Sequence, residues 1–168
     1  EIAKRMGKDE ETQNSIYFMG LLHDIGKIGI KDDIINKPGS LTDEEFLNIK
    51  RHSTIGYNIL RDMSEISNIE KGARWHHERY DGKGYPDGLK ESEIPLCARI
   101  MAVADVFDAV SEKRCYRDAM SLEQCFNIIS EGRGRDFDPV IAEVFLDSKE
   151  KVEQIHNGIR TKQKEEIL

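Results

Sequence analysis

One carboxylate constrains this chain more than any other residue. Asp105 interrupts Ile100-Met101-Ala102-Val103-Ala104-Asp105-Val106-Phe107, one of the most apolar helical stretches in the sequence, and an ionised carboxylate is costly to bury there without a partner. A fold that buries this segment therefore has to bring a metal or a histidine to it. The chain has five histidines, and four fall in patterned places: His23 beside Asp24, His52, and the adjacent pair His76-His77. His156 lies in a charged tail and is expected to be structural or exposed.

Helical periodicity dominates the rest of the chain. From Glu11 to Leu22 an apolar stripe of Ile16, Met19 and Leu22 thickens toward its end, predicting a buried helix that delivers His23 and Asp24 to the interior. Gly26 and Gly29 then release the chain into a loop through Lys37-Pro38-Gly39. Thr42 with Glu45 forms a capping box that starts a helix at Asp43, and Ser121 with Gln124 forms another. His52 is expected at or near a junction between two helices. A helix over 66–78 carries His76 and His77 to the glycine-bent loop Tyr80-Asp81-Gly82-Lys83-Gly84-Tyr85-Pro86-Asp87-Gly88, and Met19, Met101 and Trp75 read as core. Pro95 opens the helix bearing Asp105, and Asp138-Pro139 opens another. No alternating pattern is long enough for a sheet, so the expected fold class is all-α, a helical bundle with one irregular loop.

At 168 residues the chain suits a single domain over 1–168, with 148–168 a polar C-terminal helix or tail. The first residues read as the last turns of a helix whose opening is truncated. A net charge of −7 argues against a nucleic-acid polymer as partner. No apolar run approaches the ~20 residues that span a bilayer, so no membrane contact is expected of this segment. Three cysteines, Cys97, Cys115 and Cys125, lack metal or disulfide spacing and are expected to stay reduced in a cytoplasmic setting.

Six side chains then form the candidate metal set: His23, Asp24, His52, His76, His77 and Asp105. Imidazole nitrogen with carboxylate oxygen suits a first-row divalent metal. Six donors are too many for a closed structural zinc and too few to saturate two ions, which leaves positions for water and substrate, as a catalytic site requires. Asp24 is the choice for a bridging carboxylate. Lys27 either offsets charge developing on a phosphoryl group or is a surface lysine ending a helix. Arg114 and Arg117 either clamp an anionic ligand in the bidentate manner of guanidinium or are solvated.

Read in order, HDIGK, NKPGSLTDEEF, KRHSTIG, HHERYDGKGYPDGL, ADVFDAVSEKRCYR and FDP resemble the HD-GYP domains of bacterial signalling proteins, within the HD-domain metal phosphohydrolases. The resemblance covers nearly the whole chain. It implies an all-α fold, two or three divalent transition-metal ions with iron or manganese foremost, and hydrolysis of cyclic di-GMP to linear pGpG, with GMP following in some members. It places the metal ligands on the same six residues, the catalytic lysine on Lys27, and substrate contacts on Asp108, Arg114 and Arg117, with the Tyr85 loop bordering the pocket. It also implies an upstream sensory or receiver domain, and leaves monomer and homodimer open. Two departures stand out: the family's first ligand, a histidine on the opening helix, would lie upstream of Glu1, and Cys115 replaces the usual proline. The alternatives are an HD phosphohydrolase acting on another cyclic dinucleotide or nucleotide, and a non-catalytic cyclic di-GMP-binding module.

Overall fold

The computed structural model describes residues 1–63, 66, 68–112 and 119–166, with side chains as far as Gly158. Nine helices are formed among them: α1 Ile2–Arg5, α2 Glu10–Leu22, α3 Asp32–Ile35, α4 Asp43–Leu60, α5 Ile69–Trp75, α6 Leu96–Ser111, α7 Leu122–Glu131, α8 Pro139–Leu146 and α9 Lys149–Glu166. Among the described residues the extended pairing is limited to an isolated bridge between Arg133 and Phe137. The class is all-α, as expected.

Local signals set most helix starts. Asp9 caps α2 by accepting from the Thr12 N–H at 2.7 Å, and both halves of the capping boxes at Thr42–Glu45 and Ser121–Gln124 are formed. Asp138 caps α8 with Pro139 at its first position. Pro95 sits one residue outside α6, at the cap position.

Two apolar clusters flank α6. Val103, Phe107, Phe126, Ile129, Ile141 and Phe145 form the larger one with α7 and α8. Met19, Leu60, Ile69, Ala73 and Met101 form the smaller one, joining α2, α4, α5 and α6 beneath the histidines. Asp105 lies one turn after Met101, so the helix that anchors both clusters also fixes this carboxylate.

Four expectations need correction. The junction at His52 does not form: α4 runs unbroken from Asp43 to Leu60. Thr54, Ile55 and Gly56 are weak helix formers, but Gly56 is the seat on which Gly26 and Ala73 pack, and that contact holds the segment helical. The helix expected over 66–78 is confined to Ile69–Trp75. Asn68 precedes it in the left-handed region at φ 62°, and Glu78 N–H donates to the Trp75 carbonyl, which tightens its end into a turn. The histidine pair thus lies just past a helix. Trp75 is half-buried rather than core, its Nε1–H bound to Asp87 at 2.7 Å. After Asp24 the chain is more ordered than its glycines suggest, with a 3-10 turn over Ile25–Gly29 followed by α3.

Candidate metal centre

Three of the histidines are aimed by their own backbone. His23 Nδ1–H donates to the Gly20 carbonyl at 2.7 Å, His52 Nδ1–H to Ile49 at 2.7 Å, and His76 Nδ1–H to Gly72 at 2.9 Å. A carbonyl can only accept, so Nδ1 carries the proton in all three rings, and a neutral ring presents its lone pair at Nε2. That is the second-sphere arrangement that readies imidazole for a metal.

The Nε2 atoms then meet. His52 Nε2 and His76 Nε2 lie 3.3 Å apart in side chains that are almost fully buried. Two lone pairs at that distance repel, and neither ring has an Nε2 proton to share while neutral. Asp24 Oδ1 sits 3.4 Å from His52 Nε2 and 4.0 Å from His76 Nε2. His23 Nε2 is buried without a hydrogen-bond partner, 3.3 Å from Asp24 Oδ2 and 3.5 Å from Asp105 Oδ1. His77 stacks beside the pair, its centroid 4.1 Å from that of His76 and 5.0 Å from that of His52. One donor atom from each of Asp24, His52, His76 and His77 falls within 4.8 Å of the others. A divalent cation fits this donor set, since it would satisfy the opposed nitrogens and neutralise the Asp24 carboxylate together.

Protonation states follow the same geometry. Burial, reinforced by charge on neighbouring imidazoles, pushes His76 down to about 4 and His77 down to about 3, and burial lowers His52 as well. These rings stay neutral near pH 7. Burial also opposes charge on His23, but Asp105 and Asp24 outweigh it and push the ring up to about 10. Asp24 and Asp105 resist burial in turn: His23 and Lys27 hold Asp24 far below the usual carboxylate range, and His23 lowers Asp105. Without a metal, His23 keeps a proton between two carboxylates, and a cation bound there has to displace it.

Lys27 is exposed and reaches back to Asp24 Oδ2 at 2.5 Å. Asp108, exposed on α6 one turn beyond Asp105, lines a cleft of about 340 Å³ with Gly20, His23 and Asp105. A second cleft of about 500 Å³ is lined by His76, His77, Tyr85, Asp105, Arg135 and Phe137 among others. Tyr85 packs on His77 with centroids 4.7 Å apart and the rings tilted by 31°, and burial, then the two aspartates, raise its hydroxyl's pKa. Arg114, Arg117 and Cys115 lie outside the described residues. His156 is buried against Phe107 in the larger core, away from these donors.

Sequence reasoning missed the orienting carbonyls, although each lies three or four residues before its histidine, in helical register. It also missed Lys50, whose Nζ lies 5.1 Å from the Tyr85 centroid, and Glu78, a buried carboxylate directly after the histidine pair. The signal for Glu78 was its place between two histidines and a glycine-rich loop.

The sequence matches the HD domain family over residues 1–141. A Thermotoga maritima protein named cyclic di-GMP phosphodiesterase is 44% identical over 176 residues, an alignment covering 96% of this chain and 47% of that one. The cyclic di-GMP phosphodiesterase response regulator RpfG of Xanthomonas campestris pv. campestris is 45% identical, with 92% and 41% covered. The 3'3'-cGAMP-specific phosphodiesterase 1 of Vibrio cholerae is 44% identical, with 76% and 30% covered. The chain thus spans less than half the length of these curated relatives. The crystal structure of the V. cholerae cyclic GMP-AMP phosphodiesterase V-cGAP3 superposes with a TM-score of 0.65 at 22% identity, covering 91% of this chain and 41% of that one, a likeness of fold.

Proposed function

This chain belongs to the HD-domain family, in its HD-GYP branch, and on that premise we propose that it is a metal-dependent phosphodiesterase hydrolysing cyclic di-GMP to linear pGpG, the step to GMP being one that only some members of the branch take. The observation that carries the reading is the opposed Nε2 pair of His52 and His76 with Asp24 against both. In the proposal His23, Asp24, His52, His76, His77 and Asp105 would hold two or three divalent ions, iron or manganese, with Asp24 the carboxylate that would be shared between them. Bound metal supplies Lewis acidity and lowers the pKa of water so that a nucleophile is available near neutral pH.

The chain's own residues do the rest. Lys27, exposed beside Asp24, turns its ammonium to the scissile phosphate and offsets the charge that grows there. Tyr85 forms one wall, and a neutral phenol over an imidazole suits a stacked or hydrogen-bonded nucleotide. Asp108, Arg114 and Arg117 complete the contacts, the guanidiniums on phosphate oxygens. The domain extends over 1–168 with 148–168 as a polar C-terminal helix or tail, works in the cytoplasm, and is regulated by an upstream sensory or receiver domain.

The test is anaerobic incubation of the Fe(II)- or Mn(II)-loaded protein with cyclic di-GMP, following linear pGpG by chromatography. Metal binding without any cleavage would sink the enzymatic reading and leave the binding module. The relatives named as 3'3'-cGAMP-specific favour a second substrate reading, and competition between the two cyclic dinucleotides separates them.

A further inference from the structure

We infer that Glu78 is a positioning residue whose buried carboxylate clamps the 79–88 loop and so holds Tyr85 against His77, fixing one wall of the cleft beside the metal centre. The inference deepens the phosphodiesterase reading and rests on it for its kinetic consequence.

Glu78 is only 2% exposed. Its Oε1 accepts from the N–H of Asp87 at 2.8 Å and of Gly88 at 3.0 Å, while Oε2 is equally buried without a hydrogen-bond partner. A carboxylate half-satisfied in the interior costs stability relative to an apolar residue of the same size. Filling space therefore does not account for it. What the carboxylate does is gather two backbone donors from the far end of a loop that begins at the next residue.

That closure sets where Tyr85 lies. With the loop ends pinned, Gly84 rests flat on the turn: a Cβ there would fall 2.3 Å from Arg79 N and 2.4 Å from Glu78 Cα. Tyr85 N–H then donates to the His77 carbonyl at 3.2 Å, and its ring comes to lie on the His77 imidazole. On the outside, Asp87 binds Arg74 Nε and Nη2 at 2.8 and 2.9 Å. This outer clamp is open to solvent. The Glu78 clamp is shielded, so water cannot readily replace its hydrogen bonds.

Reach, and not charge, is what the clamp needs, and three variants separate the two. Glu78→Gln keeps an acceptor at the same reach, Glu78→Asp keeps the charge but is one methylene short, and Glu78→Ala removes both. In metal-loaded protein, E78D and E78A should raise KM for cyclic di-GMP about tenfold while kcat changes less than about threefold and metal content stays constant, the pattern of lost substrate-wall binding. E78Q should stay within about twofold of wild type. Trypsin cleavage at the exposed Lys83 should quicken in E78D and E78A and not in E78Q. If E78D behaves as wild type while E78Q fails, or if no variant changes KM, the clamp is wrong. Should E78A not fold, the E78D and E78Q pair decides alone. Should wild type cleave no cyclic dinucleotide, the functional reading falls, and the clamp stands or falls on the trypsin pattern.

Discussion

Gly26 presses its backbone onto His52: a methyl group at position 26 would sit 1.9 Å from the His52 carbonyl oxygen and 2.5 Å from the Gly56 nitrogen. The turn carrying His23 and Asp24 thereby lies flat on the helix carrying His52, which is how Asp24 Oδ1 comes within 3.4 Å of His52 Nε2. No side chain could be accommodated by a rotamer change, because both blocking groups are backbone. Gly26→Ala should therefore cost about 3 kcal/mol or more, read as a drop in chemical-denaturation midpoint. It should also weaken metal binding in whatever fraction remains folded. An unchanged midpoint would mean that the turn and α4 are not in this contact.

The opposed nitrogens of His52 and His76 make a prediction about metal and stability together. A cation bound by the folded chain alone stabilises it by about 2.7 kcal/mol at a hundredfold excess over Kd, so Mn(II) should raise Tm and a chelator should reverse the rise. His76→Ala should weaken binding by at least about a hundredfold and abolish the Mn(II)-dependent shift. Because His23 holds its proton with a pKa near 10 in the metal-free arrangement, binding should release close to one proton at pH 7. Calorimetry in buffers of different ionisation enthalpy measures it, and zero release would contradict the geometry at His23.

Lys27 tests chemistry apart from structure. It is exposed and its partner is a single Asp24 oxygen, so Lys27→Ala should change stability by no more than about 0.5 kcal/mol. If its ammonium meets charge growing on the phosphate, kcat should fall by about a hundredfold with metal content retained. A loss of metal in K27A would show instead that the lysine serves the donor set through Asp24.

How much of this could be read from the chain differs by element. Capping boxes and the Asp138-Pro139 start are local, and they appear where the residues place them. The lone carboxylate in an apolar helix pointed to a partner, and His23 stands beside it. The continuity of α4 through Gly56 was not legible, since it depends on Gly26 and Ala73 packing from distant segments. Nor were the bounds of α5, whose start follows from the left-handed Asn68 and whose end follows from the turn-closing hydrogen bond of Glu78 to Trp75. Glu78 shows the limit most plainly: its acidity was visible, but burial is a property of the assembled fold.

The outer clamp gives a pH dependence whose sign is fixed by the cause of its shift. Hydrogen bonds from Arg74, opposed in part by burial and aided by Trp75, hold the Asp87 carboxyl below its ordinary value. The folded state thus binds this proton more weakly than the unfolded chain, whose aspartate titrates near 3.9. Asp87 contributes stability that is fully present above the unfolded pKa and lost as pH falls through the lower folded one. The Tm difference between wild type and Asp87→Asn should be constant from pH 7 to about 5 and shrink as pH drops below about 4. Subtracting the variant removes the other carboxylates common to both proteins, which leaves Asp87 as the source. A difference that grows on acidification would require a folded pKa above the unfolded one, which the paired guanidinium at 2.8 and 2.9 Å opposes.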